Sequence, residues 1–258
     1  MIINFTIFKK LKHLIFYRRV LSFIYYKLLN ALRVFFELIN IDILSKPYGM
    51  FDNMDHHNKL LKQISNRNGF FVELGGYEGF FHSPTYYLEK FRGWNGILIE
   101  PQEQMFKKCQ KLRTKSVVYN YACVPFEYKY QNVKLQFQGL SSNIIRNSSK
   151  SEDNNNEKDN YPFGIKSKDV RAKTITSIID GYFDRFQIRE IDLLVLDVEG
   201  FELDVLKGLD FEKYKPINIL CESRTVSEKK IIENFLNERG YKLYTNISHQ
   251  DYLYKREN

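Results

Sequence analysis

Four apolar runs in this chain finish on a carboxylate: Glu73 after "FFV", Glu100 after "GILI", Asp197 after "LLVL" and Glu222 after "NILC". Strand interiors exclude charge, so each acid is expected where its strand leaves a sheet. In open α/β sheets ligands bind outside those carboxyl ends, near the point where strand order reverses. Four acids there would form one acidic rim. Such a rim disfavours a phosphate as the main ligand, because phosphate sites use backbone N–H groups, Lys and Arg. The turn Gly75–Gly76–Tyr77–Glu78–Gly79 fits neither the P-loop nor GxGxxG, since Leu74 stands where a further glycine is needed. It reads as E-x-G-x-x-x-G across Glu73, Gly75 and Gly79, with glycines that let backbone approach a ligand. Glu100 closes the next strand, the place from which a carboxylate accepts both hydroxyls of a ribose. A cofactor with a cationic centre, an amino-acid part and a ribose diol meets these demands, and S-adenosylmethionine has all three.

These residues need a scaffold, and the spacing of apolar runs supplies one. Past a turn at 46–50, short apolar runs alternate with helical segments, the pattern of a mostly parallel sheet with helices on its faces. Strands are predicted at 70–73, 96–100, 116–122, 132–137, 193–197 and 218–222. Helices are predicted from Ser83, with Pro84 in the first turn, to near Gly93, then over 102–113, 176–183, a short stretch to 207–208, and 227–239. Residues 241–246 and 251–255 form a closing hairpin around a five-residue loop. Residues 141–160 are polar, rich in Asn and Ser, and read as a mobile surface loop.

The 258 residues are 43% hydrophobic, enough for one cored domain with an appendage. Of the net charge of +8, +6 falls within residues 1–50, so the body carries no phosphate-backbone footprint and a nucleic-acid partner is not expected. The basic excess belongs to an arm over 1–48, in which residues 11–44 form an apolar helix with one narrow polar stripe. It never runs 18 residues without a charge, which argues against a spanning helix. Two readings stand level: an interfacial helix on anionic lipid, and a helix packed on the domain or on a second copy. Cys109, Cys123 and Cys221 are odd in number and without a CxxC pair, which argues against a disulfide framework or a zinc site and fits a reducing cytosol. His56 and His57 read as surface-loop residues, and His82 and His249 as solvated loop residues. No metal site is expected.

The chain resembles the FkbM-type methyltransferases from about Gly69 to Lys255. The resemblance is carried by "GFFVELGGYEGFFHSPTYYLEKFRGWNGILIEP", "AKTITSIID", "IDLLVLDVEGFELDVLKGLDF" and "HQDYLYK". It implies a class I, Rossmann-like fold: a mostly parallel seven-stranded sheet with helices on both faces and a C-terminal antiparallel hairpin, here over residues 49–258. It implies S-adenosyl-L-methionine as cofactor, bound around Glu73, Gly75, Gly76, Glu78, Gly79, Thr85, Glu100, Pro101, Ala122 and Asp197. It also implies O-methylation of a sugar, glycan or related metabolite, in polysaccharide or glycolipid biosynthesis. The family's G-A-N-D-G turn appears here as Gly75–Gly76–Tyr77–Glu78–Gly79, and its S-N-T as Ser83–Pro84–Thr85. The arm lies outside the resemblance.

Methyl transfer needs the acceptor oxygen in line with the sulfonium carbon and a group to take its proton. Asp197 is the first candidate for that base or for positioning the acceptor, then Glu199, then Glu222. Glu199 could equally be a carboxylate satisfying free N–H groups at a helix start. An enzyme acting on nucleic-acid amino groups would carry a proline-aromatic motif where this chain has "DVEGF". The rival reading is a non-catalytic docking or assembly protein that keeps the fold and works through its arm. If the arm meets membrane, a lipid-linked acceptor and the inner membrane face follow.

Overall fold

The computed structural model describes residues 54–64, 66–80, 83–138, 141–144, 166–186 and 190–257. The arm over 1–48, the turn at 46–50, His82 and residues 145–160 lie outside them. Helices α1 (Met54–Gln63), α2 (Thr85–Phe91), α3 (Glu103–Leu112), α4 (Ile175–Phe186), α5 (Glu202–Leu206) and α6 (Val226–Asn237) alternate with strands. Strands β1 (Phe70–Leu74), β2 (Asn95–Ile99) and β3 (Val117–Tyr119) are followed by β4 (Ala122–Cys123), β5 (Asn132–Gln138), β6 (Ser141–Ile144) and β7 (Lys166–Lys173). Then come β8 (Leu193–Leu196), β9 (Asn218–Glu222), β10 (Tyr241–Asn246) and β11 (Asp251–Arg256).

Seven strands form the main sheet in the order β10-β11-β9-β8-β1-β2-β3. β11 runs antiparallel to both its neighbours, and the strands from β9 to β3 are parallel. This is the mostly parallel sheet with a closing hairpin that the resemblance implies. Strand order reverses between β1 and β8, so their carboxyl ends mark the switch point.

Period-two alternation explains why both faces are packed. Phe71, Leu98, Leu193 and Val195 meet Leu60 of α1, Leu88 of α2 and Cys109 of α3. Val72, Leu74, Ile97, Ile99, Leu194 and Leu196 meet Ile178 and Ile179 of α4, Leu206 of α5 and Leu236 of α6. Strands buried on both sides must be apolar along their length, as these are. A capping box fixes the start of α6: Thr225 accepts from the Glu228 N–H at 3.1 Å, and the Glu228 carboxylate accepts from the Thr225 N–H at 3.2 Å.

Four expectations change. The run 116–122 is two strands, because the chain leaves the main sheet after Tyr119 and enters a second sheet at Ala122. That sheet, β4-β7-β5-β6, encloses its own small core of Ala122, Val124, Val133, Leu135 and Val170. Residues 141–144, placed in a loop by their polarity, pair antiparallel with β5 instead. His56 lies within α1 rather than in a loop, and the closing hairpin turns through residues 247–250, four rather than five. No helix among the described residues is long and apolar enough to cross a membrane.

Candidate active site

At the carboxyl end of β1 the chain turns through Gly75, whose φ is +85°. A Cβ there would sit 1.8 Å from the carbonyl oxygen of Asp197, so glycine is what lets the β1 and β8 exits run side by side. Gly79, with φ +87°, lies against Arg113 and Cys109, and a Cβ would come within 2.9 Å of each. These two glycines are therefore demanded by protein neighbours. Gly76 is looser: the atoms nearest a Cβ there all belong to the Leu98 side chain, the first at 3.0 Å.

Glu100 follows β2 and is 5% exposed. Its two carboxylate oxygens accept the Tyr77 N–H at 2.9 Å and the Gln102 N–H at 2.7 Å, which ties the glycine turn to the start of α3. Asn120 holds the same corner, donating to the carbonyls of Glu100 and Pro101 at 2.9 Å each. Burial pushes the Glu100 carboxyl up to about 7, against the two N–H groups that favour its charge; Glu78 and Asp197 add repulsion. Each oxygen accepts one N–H and can take a second donor. Two free acceptor positions on a buried carboxylate suit a ribose diol, so the residues present fit S-adenosylmethionine.

Glu73 stands apart from this rim. It lies inside β1, level with Leu98 of β2 and Val195 of β8, on the face covered by α2 and α3. Its carboxylate accepts from Ser83 at 3.0 Å and from Thr85, and Arg113 approaches to 3.7 Å. Arg113, 1% exposed, also donates to Glu89 at 2.9 Å, Ser83 at 2.8 Å, Thr85 at 2.7 Å and the Gly79 carbonyl at 3.3 Å. Burial raises the Glu73 carboxyl while Arg113 opposes the shift. The strand tolerates an acid because a guanidinium from the end of α3 reaches it. Thr85 and Ser83 belong to this buried network rather than to a helix cap, and α2 opens at Thr85, after Pro84.

The remaining acids converge at the β8 and β9 exits. Asp197 and Glu222 lie close enough to shift each other's ionisation. Burial raises both carboxyls; the charges of Asp251 and Glu202 add to the shift of Asp197, and the charge of Asp197 adds to that of Glu222. Asp251, level with Glu222 across β9 and β11, and Glu202 add further negative charge. Glu199 sits in the left-handed region at φ +63° and pairs with Arg224, whose Nε lies 3.5 Å from Glu222. The N–H groups at the start of α5 are met by Glu202, which accepts from Val198 at 3.0 Å and Gly200 at 3.2 Å. The sequence allowed that part for Glu199, and Glu202 fills it.

The rim thus joins Glu100, Pro101, the turn 75–79, Asp197 and Glu222, with Glu199 over Arg224. Ala122 is buried in β4 behind Asn120, His249 is exposed in the hairpin turn, and the three cysteines are buried and free. Sequence reasoning missed Arg113, Asn120, Glu202, Arg224 and Asp251. Glu202 had a signal, three positions after Glu199 at a helix start; the others act across long separations. No group of three or more His, Cys, Asp or Glu able to hold a metal occurs among the described residues.

The sheet order and the rim at its switch point define a class I methyltransferase. The model of the methyltransferase FkbM domain matches residues 73–243, and the chain belongs to that family. It is 33% identical over 84 residues to methyltransferase sdnD of Sordaria araneosa, a match covering 30% of this chain and 32% of that protein. The chain therefore spans under two thirds of that relative's length. Among solved structures it is similar to precorrin-6y C5,15-methyltransferase from Geobacter metallireducens, at 9% identity, covering 83% of this chain and 95% of that one with a TM-score of 0.42. A TehB-like SAM-dependent methyltransferase from Corynebacterium glutamicum matches at 8% identity, over 90% and 98% of the two chains, with a TM-score of 0.40. The chain carries a methyltransferase FkbM domain, and S-adenosyl-L-methionine is the cofactor expected for it.

Proposed function

We propose that the protein is an O-methyltransferase acting on a hydroxyl of a sugar, glycan or related metabolite, in polysaccharide or glycolipid biosynthesis. The observation that carries this reading is the pair of half-buried acids Asp197 and Glu222 at the adjacent exits of β8 and β9, both pushed up by burial. A hydroxyl is a poor nucleophile until its proton has somewhere to go. A carboxylate with raised affinity for protons, placed where the acceptor must lie, provides that destination. When bound, S-adenosylmethionine supplies an electrophilic methyl group. Glu100 would hold its ribose hydroxyls, beside the turn 75–79 that Glu100 already ties to α3. The ionised member of the Asp197–Glu222 pair accepts a hydrogen bond from the acceptor hydroxyl, orients its oxygen and takes its proton. Arg224 limits the repulsion among Glu199, Glu222 and Asp197.

Calorimetric titration of S-adenosylmethionine and S-adenosylhomocysteine into wild type, Glu100→Ala and Asp197→Asn tests the assignment. Glu100→Ala should lose more than about tenfold in affinity, the worth of a charge-assisted hydrogen-bond pair. Asp197→Asn should keep most of the affinity and lose transfer to a panel of glycan acceptors. A folded wild type that binds neither ligand would overturn the reading.

A further inference from the structure

The second sheet carries a feature that the donor site does not use. Arg171 and Lys173, two positions apart on β7, project from the same face of that strand. β4 pairs parallel to β7, Ala122 with Ala172 and Cys123 with Lys173, which brings Tyr121 level with Arg171. Both cations come to rest over the Tyr121 ring, the Arg171 guanidinium carbon 4.8 Å and the Lys173 Nζ 4.9 Å from its centroid. Both side chains are exposed, and neither pairs with a carboxylate among the described residues. Two positive charges are thus held within about 10 Å of each other, roughly one screening length at 0.1 M salt.

The direction of this face matters. Ala122 and Val124 fill the core of the second sheet, whereas Cys123 and Tyr121 pack against the core of the main sheet. Arg171 and Lys173 share the side of Cys123 and Tyr121, so they look into the angle between the two sheets. Tyr121 follows Asn120, which is bonded to the carbonyls of Glu100 and Pro101. The cationic face therefore borders the rim.

We propose that Arg171, Lys173 and Tyr121 form an anion subsite for the acceptor, which is a sugar chain or sugar conjugate bearing a phosphate or carboxylate. The two cations hold the anion in charge-assisted hydrogen bonds, and the Tyr121 ring on which they rest fixes their position. Three strand spacings separate the exits of β3 and β8, about 14 Å at about 4.8 Å each. The anion is therefore remote from the hydroxyl that is methylated, beyond the length of a single sugar ring. This separation also keeps it clear of the acids around Asp197. The inference rests on the proposed function for what the acceptor is, and on its own geometry for where the anion sits.

The test titrates three probes into the full chain without cofactor: trigalacturonic acid for carboxylates, UDP-glucose for phosphates and maltotriose as the neutral control. Wild type should bind at least one acidic probe in a salt-sensitive manner and bind maltotriose more weakly. The double variant R171A/K173A should lose about tenfold or more in that affinity, and Lys168→Ala, on the other face and paired with Glu103, should lose none. Which acidic probe binds identifies the anion. Binding of neither, equal binding by the double variant, or tighter binding of a short single-stranded oligonucleotide would overturn the proposal. Titrating S-adenosylmethionine into the same samples separates this failure from failure of the methyltransferase reading, since the double variant leaves Glu100 and the glycine turn untouched.

Discussion

Replacing Arg113 with Met should cost the fold a large share of its stability, and the cost should depend on pH. The guanidinium is fully buried and serves two acids, Glu73 with 2% and Glu89 with 6% of their side chains exposed. Methionine fills most of the volume beside the Phe71 ring, which the guanidinium faces at 5.3 Å, but leaves both acids without a cation. Removing one partner of a buried pair costs about 3–5 kcal/mol, and each kcal/mol lowers Tm by about 2–4 °C in a domain of this size, so a fall near 10 °C is expected. Glu73 already has a folded-state pKa raised above the ordinary 4.5, because burial outweighs Arg113. Its native state thus binds a proton more readily than its unfolded state, and stability falls as pH rises through that window. Without Arg113 the window widens upward. Urea denaturation at pH 5 and pH 8 should show a deficit that is smaller in acid, and adding Glu73→Gln should recover part of it at pH 8. A deficit below about 1 kcal/mol, or one equal at both pH values, would refute the account of Glu73 as an acid held inside β1 by Arg113.

Other expectations follow from single contacts. Glu100 must be ionised to accept a diol and its carboxyl is raised to about 7, so cofactor affinity should weaken roughly tenfold per pH unit below that value, as titration across pH 5 to 8 would show. Gly75→Ala puts a methyl against the Asp197 carbonyl at a positive φ, and thermal melting should show it destabilised by about 2 kcal/mol or more, with cofactor affinity lost alongside. The Tyr254 hydroxyl is buried without a hydrogen-bond partner among the described residues, so Tyr254→Phe should leave stability unchanged or raise it by up to about 1–3 kcal/mol in the same melts.

The parallel strands were legible because burial on both faces leaves an unbroken apolar run, as in "FFV" and "LLVL". For the same reason the exits at Glu100, Asp197 and Glu222 could be read from where each run stops. Glu73 could not, since its position inside β1 depends on Arg113, which no local pattern ties to it. The second sheet was mostly hidden. In β7 only Val170 is fully buried among the described side chains, and in β6 "SSNI" is mostly polar, so neither strand shows the alternation that marks an element. Asp197 and Glu222 were visible as two acids but not as a pair, because β8 and β9 bring them together only once both strands are in register.

The place of β11 has a consequence for synthesis. It lies between β9 and β10, so β10 has no partner in the sheet until β11 has been inserted. A nascent chain paused before residue 251 would hold β9 as an open parallel edge, with the apolar run "NILC" uncovered and Glu222 lacking its neighbour Asp251. The acidic end of the rim is assembled in the same event that seals the sheet, so a partly made chain is exposed to aggregation for as long as Glu222 lacks its full surroundings.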